Sequence, residues 1–349
     1  MAADLVVVGA GAIGLSIAWC AARRGARVII LERGQPGRES SWAAAGILPY
    51  GRPDVGTAYV RAMGESARLH PVHAALLRDE TGIAVEYREI GEILTELDES
   101  GRAPMLEVVA RQEARGAPIS RADPSVLDTQ GIAPRIDAYW LPRTAQINPP
   151  RYLAALEAAC RARGVEIRAD APVVSLARSS DRITGAVLES GEAVAAGNVV
   201  VAAGAWTPSL VPFIGEPPPI RPLRGQIALL RPSKLTIGAI ISVGHEYLVP
   251  REDGRVLVGA TMEDAGFDAR TTAHGIRHLL DSAVRLVPSL ADADVERVWA
   301  GLRPATPDGE PIVGPVAGWS GLWIAAGHTR QGIHLAPYTG ESMAAALTS

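Results

Sequence analysis

The residues best suited to chemistry lie at the start of the chain, in DLVVVGAGAIGLSIAWCAARRGARVIILERG. Gly9, Gly11 and Gly14 have the spacing GxGxxG. In that spacing the first glycine permits a tight turn and the second lets the backbone approach a pyrophosphate. The third lets a helix pack closely on a strand. Glu32 follows at the end of a second apolar run, where an acid can bind ribose hydroxyls and disfavours a 2′-phosphate. These residues predict a dinucleotide and leave FAD and NAD both open. Near the other end, Arg303 stands in VWAGLRPATPDGEPIVGP with no acid within four positions on either side. A buried charge needs a partner, and the local sequence supplies none. Lys234 is the only lysine, so a single arginine carries less information here than usual.

The elements that must position these residues follow from periodicity. Leu5 to Val8 read as a buried parallel strand, the glycines as a turn into a helix, and Arg27 to Leu31 as a second strand. In ESSWAAAGILPYG, Ser40 and Ser41 suit a helix cap. The nearly side-chain-free run Ala43–Gly46 reads either as a helix start or as backbone lying against a large ligand. Amphipathic helices are predicted over 61–81 and 98–115, with Gly116 as a stop. VEYREIGEILTEL between them reads as a strand pair. Pro149 and Pro150 open a helix over 151–163 that Gly164 ends, and two strands follow. Val199 to Ala202 form another buried strand running into a Gly204-Ala205-Trp206 turn. PPPIRPLRGQIALL, over 217–230, reads as a linker into a second domain. The helix in TTAHGIRHLLDSAVRLVP covers the sheet of that domain. The chain closes with a strand to Ala325, a glycine-containing loop and a helix.

Composition narrows the class. A chain of 349 residues with 48% hydrophobic content is globular and long enough for two domains. A net charge of −4 without like-charge blocks gives no reason to expect nucleic acid or an anionic membrane as partner. No run is long and apolar enough to span a bilayer. At the N-terminus the arginines follow the apolar segment rather than precede it, unlike an export signal. Cys20 and Cys160 form no CxxC or Cys/His ligand cluster, so no metal is expected, and no disulfide framework is present. The expected setting is a reducing one, the cytoplasm.

The motifs GAGAIG with Glu32, SSWAAAGIL, NVVVAAGAWTPSL, HEYLVP with GRVLVGATMED, WAGLRPATPDGEPIVGP and AAGHTRQGIHLAPYTG occur in order along the chain. Together they resemble the FAD-dependent amino-acid oxidase group that includes D-amino-acid oxidase and sarcosine oxidase, with the strongest likeness to glycine oxidases of thiamine biosynthesis. The resemblance implies an α/β fold, with a Rossmann-type FAD-binding domain and an α+β substrate domain built on a mostly antiparallel sheet. The FAD-binding domain is expected from residues 1–85, 140–216 and 300–349, and the substrate domain from 86–139 and 217–299.

The resemblance also implies that FAD binds non-covalently, since no cysteine stands in the C-terminal part where some relatives attach it. Gly9, Gly11 and Gly14 would cradle the pyrophosphate and Glu32 the ribose. Ser40, Ser41, Ala44, Ala45 and Gly46 would line the stretch from pyrophosphate to flavin. Val174 would supply backbone contacts near the adenine, Gly204 and Trp206 would lie along the cofactor, and Gly332 and Ile333 at the pyrimidine end of the flavin. Arg303 would bind the substrate carboxylate with help from Tyr247, with Arg330 near the entrance and His245 and Met262 in the pocket. Taken singly, Tyr247 reads as a half-buried strand tyrosine, His245 as a polar strand residue, Met262 as core and Arg330 as half of a surface ion pair.

The implied activity is oxidation of glycine, sarcosine or small D-amino acids to the 2-oxo acid, with O2 reduced to H2O2. The implied partners are a small amino-acid substrate and O2, and the implied assembly is a homo-oligomer. A dehydrogenase or oxidase of another primary or secondary amine is the alternative within the fold. A flavin-binding subunit without turnover is the alternative outside it.

Overall fold

The structure is a computed structural model that describes residues 3–96, 98–133 and 137–349. Its first sheet is built around the strand Ala3–Val8, buried on both faces by β-branched and small residues. Val28–Leu31 and Ala193–Val201 flank that strand in parallel, and Glu166–Arg168 and Leu322–Ala326 extend the parallel part outward. The antiparallel strands Val173–Ser179 and Arg182–Leu188 continue the sheet from the first half of Ala193–Val201. The helices Ala12–Arg23, Pro149–Ala162 and Gly332–Thr348 pack with the sheet around a core that includes Leu15, Trp19, Tyr152, Leu156 and Met343.

The second sheet has the strand order Asp294–Ala305, Arg221–Arg231, Val256–Gly259, Glu246–Pro250, Ile240–Val243, Glu92–Glu96, Asp137–Leu141, Ser120–Arg121. Its pairings are antiparallel except for Ile240–Val243 beside Glu92–Glu96. The amphipathic helix Ala273–Leu286 covers one face and buries Leu279, Ala283 and Leu286 there. A three-stranded ribbon of Ile47–Leu48, Ala145–Gln146 and Arg88–Glu89 lies between the segments that feed the two sheets.

Three expectations change. The supposed linker 217–230 is mostly strand, because Arg221–Arg231 pairs along its length with Asp294–Ala305. Its prolines sit only at the strand's beginning, and Pro222 to Ala228 are buried in an almost unbroken run, which hides the alternation of a half-exposed strand. The expected boundaries at 140 and 300 both fall inside strands of the second sheet, Asp137–Leu141 and Asp294–Ala305. No helix starts at Ser40 or in the alanine run. Residues 38–43 form turns and lead to the short strand Ile47–Leu48.

Buried histidines tie the last helix to the molecule. His70, on the helix Ala58–Thr81, bonds through Nε2 to the His334 carbonyl at 2.9 Å, and Ser66 donates to the same oxygen at 2.6 Å. His334 reaches the Met63 carbonyl at 3.1 Å, and His328 reaches Thr339 Oγ1 at 3.3 Å. Burial holds His70 and His328 near 3 and His334 near 4, below the ordinary 6.5. The folded protein therefore keeps them neutral while the unfolded chain takes up protons below pH 6.5. Their contribution to stability is complete above pH 6.5 and is lost as pH falls toward 4 and 3. Once pH is well below 6.5, each costs about 1.4 kcal/mol per pH unit. Urea unfolding at pH 7.5, 6.0 and 5.0 is expected to show this loss, with a shallower slope in His328→Gln. A midpoint that holds or rises between pH 7.5 and 5.0 would refute the assignment.

Candidate active site

A single cavity of about 880 Å3 connects the two sheets and opens between them. At one end it is bounded by the first turn of the chain. Gly9 has φ +106°, and a Cβ there would lie 2.6 Å from the Ala202 carbonyl oxygen. A Cβ on Gly14 would lie 1.9 Å from the Gly9 oxygen. Gly11 caps the helix Ala12–Arg23, whose first N–H groups and positive dipole end face this part of the cavity. Ser41 Oγ accepts the Ala12 N–H at 3.1 Å. Glu32 accepts the Ala10 N–H at 2.8 Å and the Gly34 N–H at 3.1 Å, so its carboxylate is fixed at the cavity wall.

The middle of the cavity is lined by Ser40, Ser41, Ala44, Ala45 and Gly46 on one side and by Gly204 and Trp206 on the other. Gly46 has φ +74°, and a Cβ there would strike the Ile147 oxygen at 2.1 Å. The Arg33 guanidinium lies 3.6 Å from the centre of the Trp206 ring. Gly332 and Ile333, at the start of the last helix, line the cavity farther along. The Val174 side chain is 53% exposed, and Pro172 and Val173 form the cavity wall beside it; the backbone contacts expected of Val174 do not depend on that side chain.

At the far end the floor of the cavity is the second sheet. Arg303 lies on Asp294–Ala305 and Tyr247 on Glu246–Pro250, with two strands between them. Both intervening strands present glycine. A Cβ on Gly225 would lie 2.2 Å from Arg303 Nη2, and one on Gly259 would lie 2.8 Å from the Tyr247 hydroxyl oxygen. The two large side chains therefore lie across the sheet over bare backbone and meet above it. Arg303 Nη1 donates to the Thr261 carbonyl at 3.0 Å and the Arg224 carbonyl at 3.5 Å. No carboxylate pairs with it among the described residues, which leaves Nε and Nη2 for a ligand. Burial lowers the Arg303 pKa, with Tyr247 opposing the shift. Burial raises the Tyr247 pKa, with Arg303 and Arg330 opposing.

Arg330 lines the cavity, is exposed and forms no ion pair among the described residues, contrary to its reading as half of a surface salt bridge. His245 lies in the turn before Tyr247 and also lines the cavity. Partial burial, then Arg330, lower its pKa, which favours the neutral ring. Met262 is neither core nor pocket. It is 43% exposed and absent from the cavity wall, although the adjacent Ala260 is buried and the Thr261 carbonyl accepts from Arg303.

The chain matches the family described as FAD dependent oxidoreductase (DAO) over residues 4–346. It belongs to that family. A glycine oxidase of Pseudomonas putida is 35% identical over 342 residues, which are 97% of this chain and 92% of that protein. A bifunctional protein ThiO/ThiG of Trichormus variabilis is 32% identical over 352 residues, 99% of this chain and 52% of that protein. The crystal structure of glycine oxidase from Geobacillus kaustophilus superposes with a TM-score of 0.90 at 32% identity, covering 99% of this chain and 94% of that one.

The cofactor of this FAD dependent oxidoreductase is FAD. The cavity fits it: a glycine cradle that any Cβ would fill, a helix N-terminus, a fixed acid, and a volume near the top of the roughly 300–1,000 Å3 usual for ligand pockets. Cys20 and Cys160 are buried away from the cavity.

The oxidoreductase also uses residues that the sequence reading missed. Gly225, Gly259 and Gly301 lie inside strands, where an isolated glycine marks close approach, and that signal was available. A Cβ on Gly301 would lie 2.6 Å from Ala43. Arg251 gave no such signal. It is 8% exposed and forms no ion pair among the described residues, and burial lowers its pKa to about 10. Its guanidinium donates to the Ala45 carbonyl at 2.6 Å, Gln146 Oε1 at 2.9 Å and the Ile147 carbonyl at 3.2 Å, and so fixes the alanine-rich wall.

Gly225→Ala is expected to raise KM for carboxylate substrates about tenfold or more by displacing the Arg303 guanidinium, with FAD still bound. Steady-state kinetics on the yellow protein check this. An unchanged KM would mean that Arg303 does not need its present position.

Proposed function

We propose that the chain oxidises glycine, sarcosine or a small D-amino acid to the 2-oxo acid and reduces O2 to H2O2. The coarser statement, flavin-dependent amine oxidation, follows from the family and its relatives. The observation that carries the finer reading is Arg303. It is a largely buried guanidinium without an acid, beside the buried Tyr247 and open to the cavity that holds the FAD cradle.

In this reading Arg303 grips the substrate carboxylate through two parallel N–H···O bonds, and Tyr247 adds a hydroxyl donor. The glycine floor holds the substrate backbone close and orients its Cα–H bond. Bound FAD supplies the two-electron acceptor and passes the electrons on to O2. The imine product hydrolyses in water to the 2-oxo acid and ammonia, or methylamine from sarcosine. Burial lowers the His245 pKa, which makes its ring a weaker base, and raises that of Tyr247, which favours its protonated hydroxyl, so neither is assigned the amine proton and the amine enters its reactive neutral form before or on binding.

The division into an FAD-binding and a substrate domain belongs to the same proposal, as does a role in thiamine biosynthesis, to which the ThiO/ThiG relative lends support. So do a homo-oligomeric state and a cytoplasmic site; among the described residues no helix is long and apolar enough to cross a membrane. The deciding experiment is a peroxide assay of the purified protein with glycine, sarcosine, D-alanine, D-proline and L-amino acids. Peroxide from glycine or sarcosine supports the proposal. Dye reduction without peroxide would make the protein a dehydrogenase, and no flavin reduction by any of these would overturn the reading.

A further inference from the structure

Glu92 is a carboxyl group for which the reaction above has no use. It is 7% exposed, yet it lines the cavity. Its strand, Glu92–Glu96, runs parallel to Ile240–Val243, and that strand pairs with Glu246–Pro250 so that Ser242 stands opposite Tyr247. Glu92 accepts the Ser242 hydroxyl at 2.6 Å through Oε1 and the Thr144 hydroxyl at 3.1 Å through Oε2. Glu92 and Ser242 thus stand on the two strands beyond that of Tyr247, on the side away from the Arg303 strand, with Glu92 two residues along its strand from Leu94, the partner of Ser242.

A carboxylate offers about four acceptor positions, and the two hydroxyls occupy half of that capacity. No ion pair completes the rest among the described residues. The neighbouring acids are already engaged: Glu96 accepts the Gly244 N–H at 3.1 Å, and Glu246 binds His278 and Ser282. Burial raises the Glu92 pKa, while Ser242, Thr144 and then Arg330 favour its charged form. Strands lie about 4.8 Å apart, so the carboxyl stands roughly one to two strand spacings beyond Tyr247. An amino-acid side chain of four carbons covers that distance.

We propose that Glu92 is a specificity residue, which accepts a hydrogen bond from a nitrogen or oxygen donor at the end of the substrate's side chain. Among amino acids whose side chain is long enough to reach Glu92, the enzyme then prefers those ending in an ammonium or hydroxyl group over apolar ones of equal length; glycine and sarcosine do not engage it. The proposal rests on the amino-acid reading of the site above and adds to it the class of side chain.

D-Lysine and D-norleucine serve as the probe pair, since they differ in the terminal ammonium and match in carbon chain. Two readouts are taken on the holoenzyme: kcat/KM, and the dissociation constant, obtained without oxygen from the concentration dependence of the flavin-reduction rate, or from the perturbed spectrum of oxidised FAD where no reduction occurs. The parent is expected to favour D-lysine about ten- to a hundredfold by both, as befits one charge-assisted bond. Glu92→Gln and Glu92→Leu are expected to reduce that preference by at least tenfold, with Glu92→Gln retaining the larger part. A parent without the preference, or a preference that survives Glu92→Leu, would overturn the proposal. The binding readout separates this from the function. If no amino acid is turned over, the oxidase reading fails, and the dissociation constants still decide the role of Glu92.

Discussion

Arg303→Ala is expected to lower kcat/KM for glycine, sarcosine and D-alanine by about 10^2- to 10^4-fold while the protein stays yellow. Two charge-assisted hydrogen bonds are lost, each worth roughly 1.5–3 kcal/mol, and 1.4 kcal/mol is a factor of ten. The loss should fall mainly on KM, because the carboxylate is gripped in the ground state as well as the transition state. FAD retention should change little, since Arg303 bonds to the Thr261 and Arg224 carbonyls and to Tyr247, and the FAD cradle lies at the other end of the cavity. Arg303→Lys should recover part of the loss, keeping the charge but not the fork. Stopped-flow reduction across a substrate titration measures both quantities. Unchanged kinetics in Arg303→Ala would remove the residue from the site.

Gly14→Ala is expected to cost at least tenfold in FAD affinity, and the protein should purify largely colourless. The new methyl would fall 1.9 Å from the Gly9 carbonyl oxygen and 3.2 Å from Val7 Cγ1. Neither the turn nor the strand can yield without moving the helix N-terminus, and overpacking of this kind costs about 1–3 kcal/mol or more. Gly25→Ala is the matched control. Gly25 has φ +90° but open space around its Cβ position, so it carries the backbone penalty without the collision. Flavin content per protein and the unfolding midpoint separate the two. Equal FAD loss in both variants would mean that stability, and not the cradle, governs retention.

The cofactor end was legible because its constraints are local. Strand, turn, helix and acid sit within Leu5 to Glu32, and the tightest glycine contact, Gly14 against the Gly9 oxygen and Val7, is set by that short segment, although Gly9 and Gly11 also meet Ala202 and Ser41. The substrate end depends on register between distant strands. Arg303 was visible as a charge without a neighbour. That it reaches Tyr247 across Gly225 and Gly259 depends on pairings between residues far apart in sequence. The strand Arg221–Arg231 was hidden for the same reason, since its prolines and continuous burial make sense only once both flanking strands are in place. Met262 failed as a pocket residue because a motif match gives sequence position and not the direction in which a side chain points. Arg251, Glu92 and the buried histidines carry no local pattern at all. Apart from His328, which bonds Thr339 nearby, their meaning lies in partners about 50 to 270 positions away.

Arg251 stands just past the end of the Tyr247 strand, and its three bonds reach Ala45 in the cavity wall and Gln146 and Ile147 behind it. The strand that carries Tyr247 and the alanine-rich loop are thus fastened by one cation that forms no ion pair among the described residues. The two halves of the catalytic apparatus cannot drift independently: a shift in one drags the other or strands a buried charge. Catalytic alignment is in this sense a mechanical property of the junction, and evolution toward a new substrate along that strand must either preserve the fastening or replace it.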